Sequence, residues 1–389
     1  MTDYLDKTLG HFRDPHIGWV QAPSIYGNTN FWTARGAAEQ DMGMQGPIQM
    51  GLYGRKGTPI IIGSHCTYRT AAIRQIGGFQ PTRAEDHLDT LALAANGWSG
   101  VFIPEAIAIG DGPETLPAYL SQQYAWARSM FQILIGAGHS HLRRLPIKQR
   151  LHFLFFETWY PLCSGAFLIL FAIPIASIVL HASPIRANLL QFIVHLLPMI
   201  IAMILLVCAS KPLMQPNGLR FSWRGMLLHV VRWPIVVTAI AGVLMRRQKP
   251  YQITPKGKFL DNAPTLKLYR PFICLGALSA AAVLYATIKG YEHTTAGQEF
   301  FAGYAAMIML VVCLIDLHLR LRETGLKPQV LRKNWLAPIT AVFGATTLTS
   351  CIIAYALIVP VGSAAATSFE ESSQWAYVHI TNTLQAIAH

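Results

Sequence analysis

The stretch Ala84-Glu85-Asp86-His87-Leu88-Asp89-Thr90, taken with Gln122-Gln123-Tyr124-Ala125-Trp126-Ala127-Arg128-Ser129, decides how this chain is built. The first part is a tight acidic cluster, and Leu88, Leu91, Ala92 and Ala95 follow it at helical spacing. Glu85 and Asp86 therefore fall at the N-terminus of a helix, where free N–H groups and the helix dipole hold a carboxylate ionised. Asn96-Gly97-Trp98 ends that helix, and Val101 to Glu105, within the apolar run from Gly100 to Ile109, reads as the next strand. Gly110 to Leu116 is a turn into a second helix that Asp111 or Thr115 can cap. On that helix Gln122 and Trp126 are four apart and share a face. An indole face stacks on the apolar side of a sugar ring, and an amide binds hydroxyls. A carboxylate that takes a proton from an attacking hydroxyl would complete such a site. Three plainer readings compete. Asp86 is then only a cap, Glu85, Asp86 and Asp89 form a solvated acidic face, or Trp126 is a core residue.

Upstream, Asp14-Pro15 is a turn and Ile17 to Pro23 an alternating apolar strand. Pro59 to Ile62 reads as a buried strand, Gly63 as the turn after it, and Ala71 to Ile76 as a short helix stopped by Gly77. His65 and Cys66 belong to a packed loop. His139 and His141 lie in a surface loop with no third ligand beside them.

Downstream the composition changes. Of 389 residues, 52% are hydrophobic and only 13% charged, and the mean hydropathy is +0.36, too apolar for an ordinary soluble protein. The net charge of +12 resides mostly in loops beside apolar runs, which argues for membrane orientation and against nucleic-acid binding. Met1 to Asp14 is polar and carries no cleavable signal pattern. Most of the cysteines lie in apolar segments and serve packing rather than a disulfide or zinc framework.

Apolar runs at about 153–180, 189–210, 272–288, 302–319 and 336–361 are each long enough to span a bilayer. The regions 143–150, 211–224, 246–270 and 320–333 are basic, whereas 181–188 holds only Arg186 and 289–301 only Lys289. By the positive-inside rule, residues 1–150 are cytoplasmic and the tail lies outside. Residues 226–245 have basic loops at both ends and Arg232 and Pro234 within, so an interfacial helix fits better than a sixth span.

This order of signals resembles the processive, membrane-embedded family 2 glycosyltransferases, the cellulose synthase and hyaluronan synthase group. In that family a Thr-Glu-Asp motif supplies the base, and a Gln-x-x-Arg-Trp motif lies beside the acceptor and the nucleotide diphosphate. The resemblance implies that Asp86, with Glu85, is catalytic and that Gln122 and Trp126 bind acceptor. Ala84 stands where the family has Thr, and Ala125 where it has Arg; Arg128, three residues on, is a partial substitute. Val20-Gln21-Ala22-Pro23, Tyr26-Gly27-Asn28 and Gly77-Gly78-Phe79 are also similar to family segments. Tyr251-Gln252-Ile253-Thr254-Pro255-Lys256 resembles the gating loop Phe-x-Val-Thr-x-Lys, in which Tyr251, Thr254 and Lys256 would serve the diphosphate leaving group.

The expected fold is thus α/β, the second half of a GT-A nucleotide-sugar domain, over residues 1–135. A basic interfacial linker follows at 136–152. An all-α transmembrane region of about five spans then covers 153–361, with an interfacial helix at 226–245 and the gating-like loop at 246–270. Residues 362–389 form an extracytoplasmic tail. The implied partners are a nucleotide-diphosphate sugar, a polysaccharide acceptor and the inner-membrane bilayer, with room for a separate N-terminal half or an accessory subunit. A Mg²⁺ or Mn²⁺ ion is implied as well, yet the chain has no Asp-x-Asp pair to hold it. Two other classes stay open: a catalytically inactive fragment or membrane partner without the donor-binding half, and a plain transporter.

Overall fold

The computed structural model describes residues 3–54, 57–136, 138–182, 189–213, 223–247, 266–290, 292–324 and 336–358, together with 374, 377 and 378. The gating-like residues Tyr251, Thr254 and Lys256 and the tail from 362 to its end, those three positions apart, lie outside the described residues. The chain divides into two units: residues 1–167 with 210–262, and residues 168–209 with 263–389.

The first unit opens with α1 (Tyr4–Leu9) and β1 (Ile17–Gln21), the strand expected from the Asp14-Pro15 turn. All five residues of β1 are buried, so it reads as a continuous apolar run and not as a half-exposed alternation. Then come β2 (Ile25–Tyr26), α2 (Trp32–Gly43) and a π-helical stretch, Met44–Tyr53. They are followed by β3 (Thr67–Tyr68), α3 (Thr70–Gln75), α4 (Glu85–Ala95), β4 (Ser99–Phe102) and β5 (Ile109–Gly110). β1 is central, antiparallel to β3 and parallel to β4, while β2 and β5 form a separate parallel pair. The indole of Trp19 lies across Gly100, where a Cβ would sit 2.1 Å from the ring. Only glycine fits on β4 at that point. The strand expected at Val101 to Glu105 is β4, which begins at Ser99 and ends at Phe102, and the apolar run closes on β5 in the other sheet.

α5 (Leu116–Ile135) carries Pro117 at its start, and the Thr115 side chain accepts from the Ala118 amide at 3.3 Å, one of the two expected caps. α6 (Gly138–Leu142) leads into α7 (Ile147–Val179), a single 33-residue helix. Leu88 and Leu91 of α4, Met130 and Ile133 of α5 and Phe153 of α7 share one apolar cluster, which ties the acidic helix to the Gln/Trp helix. α9 (Trp223–Leu244) packs on α5 through Ala127, Val236 and Ala239. Its N-terminus is fixed where the Gly225 amide donates to Glu39 Oε2 of α2 at 3.0 Å.

The second unit holds α8 (Leu189–Ser210), α10 (Leu266–Lys289), α11 (Glu292–Thr324) and α12 (Leu336–Ile358). α10 and α11 meet through small residues, with Ala282, Val283 and Ala286 against Ala302. Among the described residues four helices are long and apolar enough to cross a membrane: Ile147–Val179, Trp223–Leu244, Leu266–Lys289 and Gln298–Glu323. The apolar parts of α8 and α12 that can be described, Val194–Ser210 and Pro338–Ile352, are shorter. The helix expected to lie in the interface is therefore spanning-length. Arg232, which counted against it, is buried in protein, donating to Gln123 Oε1 at 3.2 Å and lying 5.4 Å from the Tyr160 ring centre.

Candidate active site

Asp86 lies in the first turn of α4 with Ala84 at the cap position, so the carboxylate is not the cap. Its Oδ1 accepts from the His87 amide at 2.8 Å. The other oxygen, Oδ2, faces Gly63, where a Cβ would stand 3.2 Å from it. Gly63 has φ +71, so a side chain there is strained as well as pressed against the carboxylate.

The wall that carries Gly63 is not the strand expected at Pro59 to Ile62. Its backbone is held by side chains instead of a ladder. Trp19 Nε1 donates to the Pro59 carbonyl at 2.9 Å. The Gln49 amide brackets Ile60, donating to its carbonyl at 2.7 Å and accepting from its N–H at 2.9 Å. The Ile61 amide donates to Thr90 Oγ1 at 2.9 Å, and that hydroxyl donates to the Asp86 carbonyl at 2.7 Å. The Ile62 amide donates to Gln21 Oε1 at 3.0 Å. Thr90 thereby joins the wall to the backbone of Asp86 itself. His65, at φ 44, is pinned by contacts from its Nε2 to the Ala22 carbonyl and the Gln21 amide at 2.8 and 3.2 Å, which makes it a packed loop residue as expected.

Burial pushes the Asp86 carboxyl above the ordinary carboxylate range; the His87 amide opposes the shift and the Glu85 charge adds to it. Glu85 is exposed. Asp89 does not belong to a solvated acidic face. It is 0% exposed, accepts from the Gln80 amide at 2.9 Å, and is pushed up to about 6 by burial. Helical spacing gave no clue to this, since Asp89 lies four residues after the exposed Glu85 and so nominally on its face.

On α5, Trp126 is 41% exposed, so it is not a core residue, while Oε1 of Gln122 is buried without a partner. Arg128 turns the other way. Only 5% exposed, it donates through Nη2 to the carbonyl of Arg247 just beyond α9. Glu85 and Asp86 thus lie on α4 and Gln122 and Trp126 on α5, two helices that share an apolar cluster, while the Arg128 guanidinium is bonded to the backbone of Arg247. Among the described residues no group of three His, Cys, Asp or Glu is placed to hold a metal ion. One oxygen of Asp89, the nearest further carboxylate on α4, is already bonded to the Gln80 amide. The donor set among the described residues does not fit a divalent cation.

The family model described as glycosyl transferase family group 2 matches residues 1–209, which contain α4 and α5. The chain belongs to that family. Relatives of this family 2 glycosyltransferase include the cellulose synthase 1 catalytic subunit (UDP-forming) of Komagataeibacter xylinus, 28% identical over 208 residues. The cellulose synthase catalytic subunit (UDP-forming) of Komagataeibacter sucrofermentans is 28% identical over 202 residues. Each match covers 51% of this chain and 26% of the relative, so the family 2 chain spans about a quarter of the length of the curated relatives it matches.

Proposed function

We propose that this chain is a membrane-embedded hexosyltransferase that moves a sugar, with inversion, from a nucleotide-diphosphate donor to a growing polysaccharide. In this reading Asp86 takes the proton from the acceptor hydroxyl as that oxygen attacks the anomeric carbon and the nucleoside diphosphate leaves. Glu85 keeps the Asp86 proton affinity high, and Gln122 and Trp126 bind the acceptor sugar. Arg128 is a tether to α9. Tyr251, Thr254 and Lys256 close over the leaving diphosphate, and the polymer passes out through the chain's own spans in the inner membrane, with residues 1–150 on the cytoplasmic side. The observation that carries this proposal is the Asp86 carboxylate, held in a helix first turn with one oxygen bonded to the His87 amide and the other facing Gly63.

The test is sugar incorporation by the purified chain in lipid, with a panel of nucleotide-diphosphate sugars and release of the diphosphate as a second readout. Stoichiometric transfer supports the proposal, and flux of a solute without transfer points to a transporter. Trp126→Ala is expected to raise the acceptor KM by about 10-fold, in line with the loss of one stacked ring worth about 1–1.5 kcal/mol. An unchanged acceptor KM removes Trp126 from the site.

A second reading, an inactive membrane partner of a donor-binding protein, is favoured by Ala125 in place of a cationic residue and by the poor fit of the described residues to a metal. Transfer that appears only when a second chain is added would select it.

A further inference from the structure

His87, next to Asp86 in sequence, has its side chain in a different place from its amide. The amide donates to Asp86 Oδ1, while the imidazole Nε2 lies 3.0 Å from Glu157 Oε1 on α7. Both side chains are buried, at 2% and 0% exposure. The ring is stacked on Phe156 (5.3 Å, 15°) and edge-on to Phe153 (5.7 Å, 68°), so its orientation is fixed on both sides. His87 Nδ1 and Glu157 Oε2 are buried without other partners, which makes the contact the one polar outlet of each group among the described residues. The other titratable groups nearby are Asp86 and Glu85 on α4, and Tyr53, whose hydroxyl donates to the His152 carbonyl of α7 at 2.6 Å.

A carboxylate inside an apolar helix costs several kcal/mol to bury unless it is paired. α4 is tied directionally to the wall through Thr90 and to Gln80 through Asp89, whereas on α7 it packs through apolar side chains, which set no direction. On the α7 side the hydrogen bond between the His87 imidazole and the Glu157 carboxylate supplies the directional contact. Turning α4 would carry the Asp86 carboxylate away from Gly63.

We propose that His87 and Glu157 form a buried latch that fixes the rotation of the Asp86 helix on α7, making both positioning residues for transfer. The inference rests on the reading of Asp86 as the base. A displacement of about 1 Å at a reacting group can cost on the order of 100-fold in rate.

The test compares His87→Leu, Glu157→Leu, their double variant and His87→Gln in the full chain in lipid nanodiscs. Each leucine variant is expected to lower kcat roughly 10- to 100-fold while the donor KM stays within about twofold. The double variant should be no slower than the slower single. Gln at position 87 carries an amide N–H that reaches Glu157, and it should recover kcat to within about threefold. Amide exchange over residues 85–90 should quicken about 10-fold in the leucine variants with residues 116–135 unchanged. Multiplying losses in the double variant, a changed donor KM, no rescue by Gln, or exchange that quickens everywhere would overturn the latch. Asp86→Asn run alongside separates the two ideas. If it keeps transfer, the base reading fails and the exchange data alone judge the latch. If it is inactive while His87→Leu keeps the full kcat, the latch fails and the base reading stands.

Discussion

The two units stabilise their helices in opposite ways. In the first, buried polar side chains bond to backbone: Gln49 to Ile60, Trp19 to Pro59, Thr90 to Ile61 and Asp86, and Glu39 to Gly225. In the second, α10 and α11 meet mainly through alanine and valine, with one polar knot in which Tyr269 and Arg320 both donate to Asp316 Oδ2, at 2.6 and 2.7 Å. Backbone set by directional bonds is fixed to a fraction of an ångström, as chemistry requires. Small-residue packing lets helices approach closely in lipid but fixes no single atom. The carboxylate assigned to catalysis sits where the directional bonds converge.

Substitutions of one kind in each unit sharpen that contrast. The largest effect is expected from Asp86→Asn, with a loss of transfer of about 100- to 10,000-fold, the usual worth of a positioned base, and donor binding retained in a filter or calorimetric assay. Gln49→Leu strips both bonds from buried Ile60 and should cost about 3 kcal/mol in thermal unfolding, with reduced transfer because Gly63 loses its support. Tyr269→Phe removes one buried bond to Asp316 that Arg320 still serves, so about 1 kcal/mol of stability and no change in kcat is the expected result. If Tyr269→Phe slowed transfer more than Gln49→Leu did, the contrast between the units would be wrong.

Much of this was legible in the sequence. Helical spacing after Glu85, the Asn96-Gly97 stop and the Thr115 cap placed α4 and α5 correctly, because those signals are local. The Glu-Asp pair and the Gln-x-x-x-Trp spacing led to the family, which the match over residues 1–209 bears out. The segment Pro59 to Ile62 was misread as a strand because its partners are side chains from Trp19, Gln21, Gln49 and Thr90, and no periodicity encodes that. Arg128, offered by helix spacing as a partial substitute for the Arg that Ala125 replaces, bonds to the carbonyl of Arg247, a partner 119 residues away that no local pattern encodes. The burial of Arg232 against Gln123 and Tyr160 rests on partners from α5 and α7, which the sequence around residues 226–245 does not show. The pairing of Glu157 with His87, 70 residues apart, leaves no mark in the local sequence of either.

Charge also separates stability from activity. Asp89 has its folded pKa raised to about 6, above its unfolded value, so the folded state binds the extra proton between the two. Stability is therefore greatest below the ordinary carboxylate range and falls as pH rises through about 6, on the order of 1–3 kcal/mol. Asp86 is raised in the same direction, so it shares the sign of this trend, yet transfer needs it ionised and must rise with pH as it titrates.

The pH dependence of kcat in the native chain and in Glu85→Gln is the most direct test of Asp86 as the base. The account predicts an acidic limb above the ordinary carboxylate range, moved to lower pH once the neighbouring negative charge is removed. A flat profile in the native chain, or a limb that Glu85→Gln leaves in place, would contradict it.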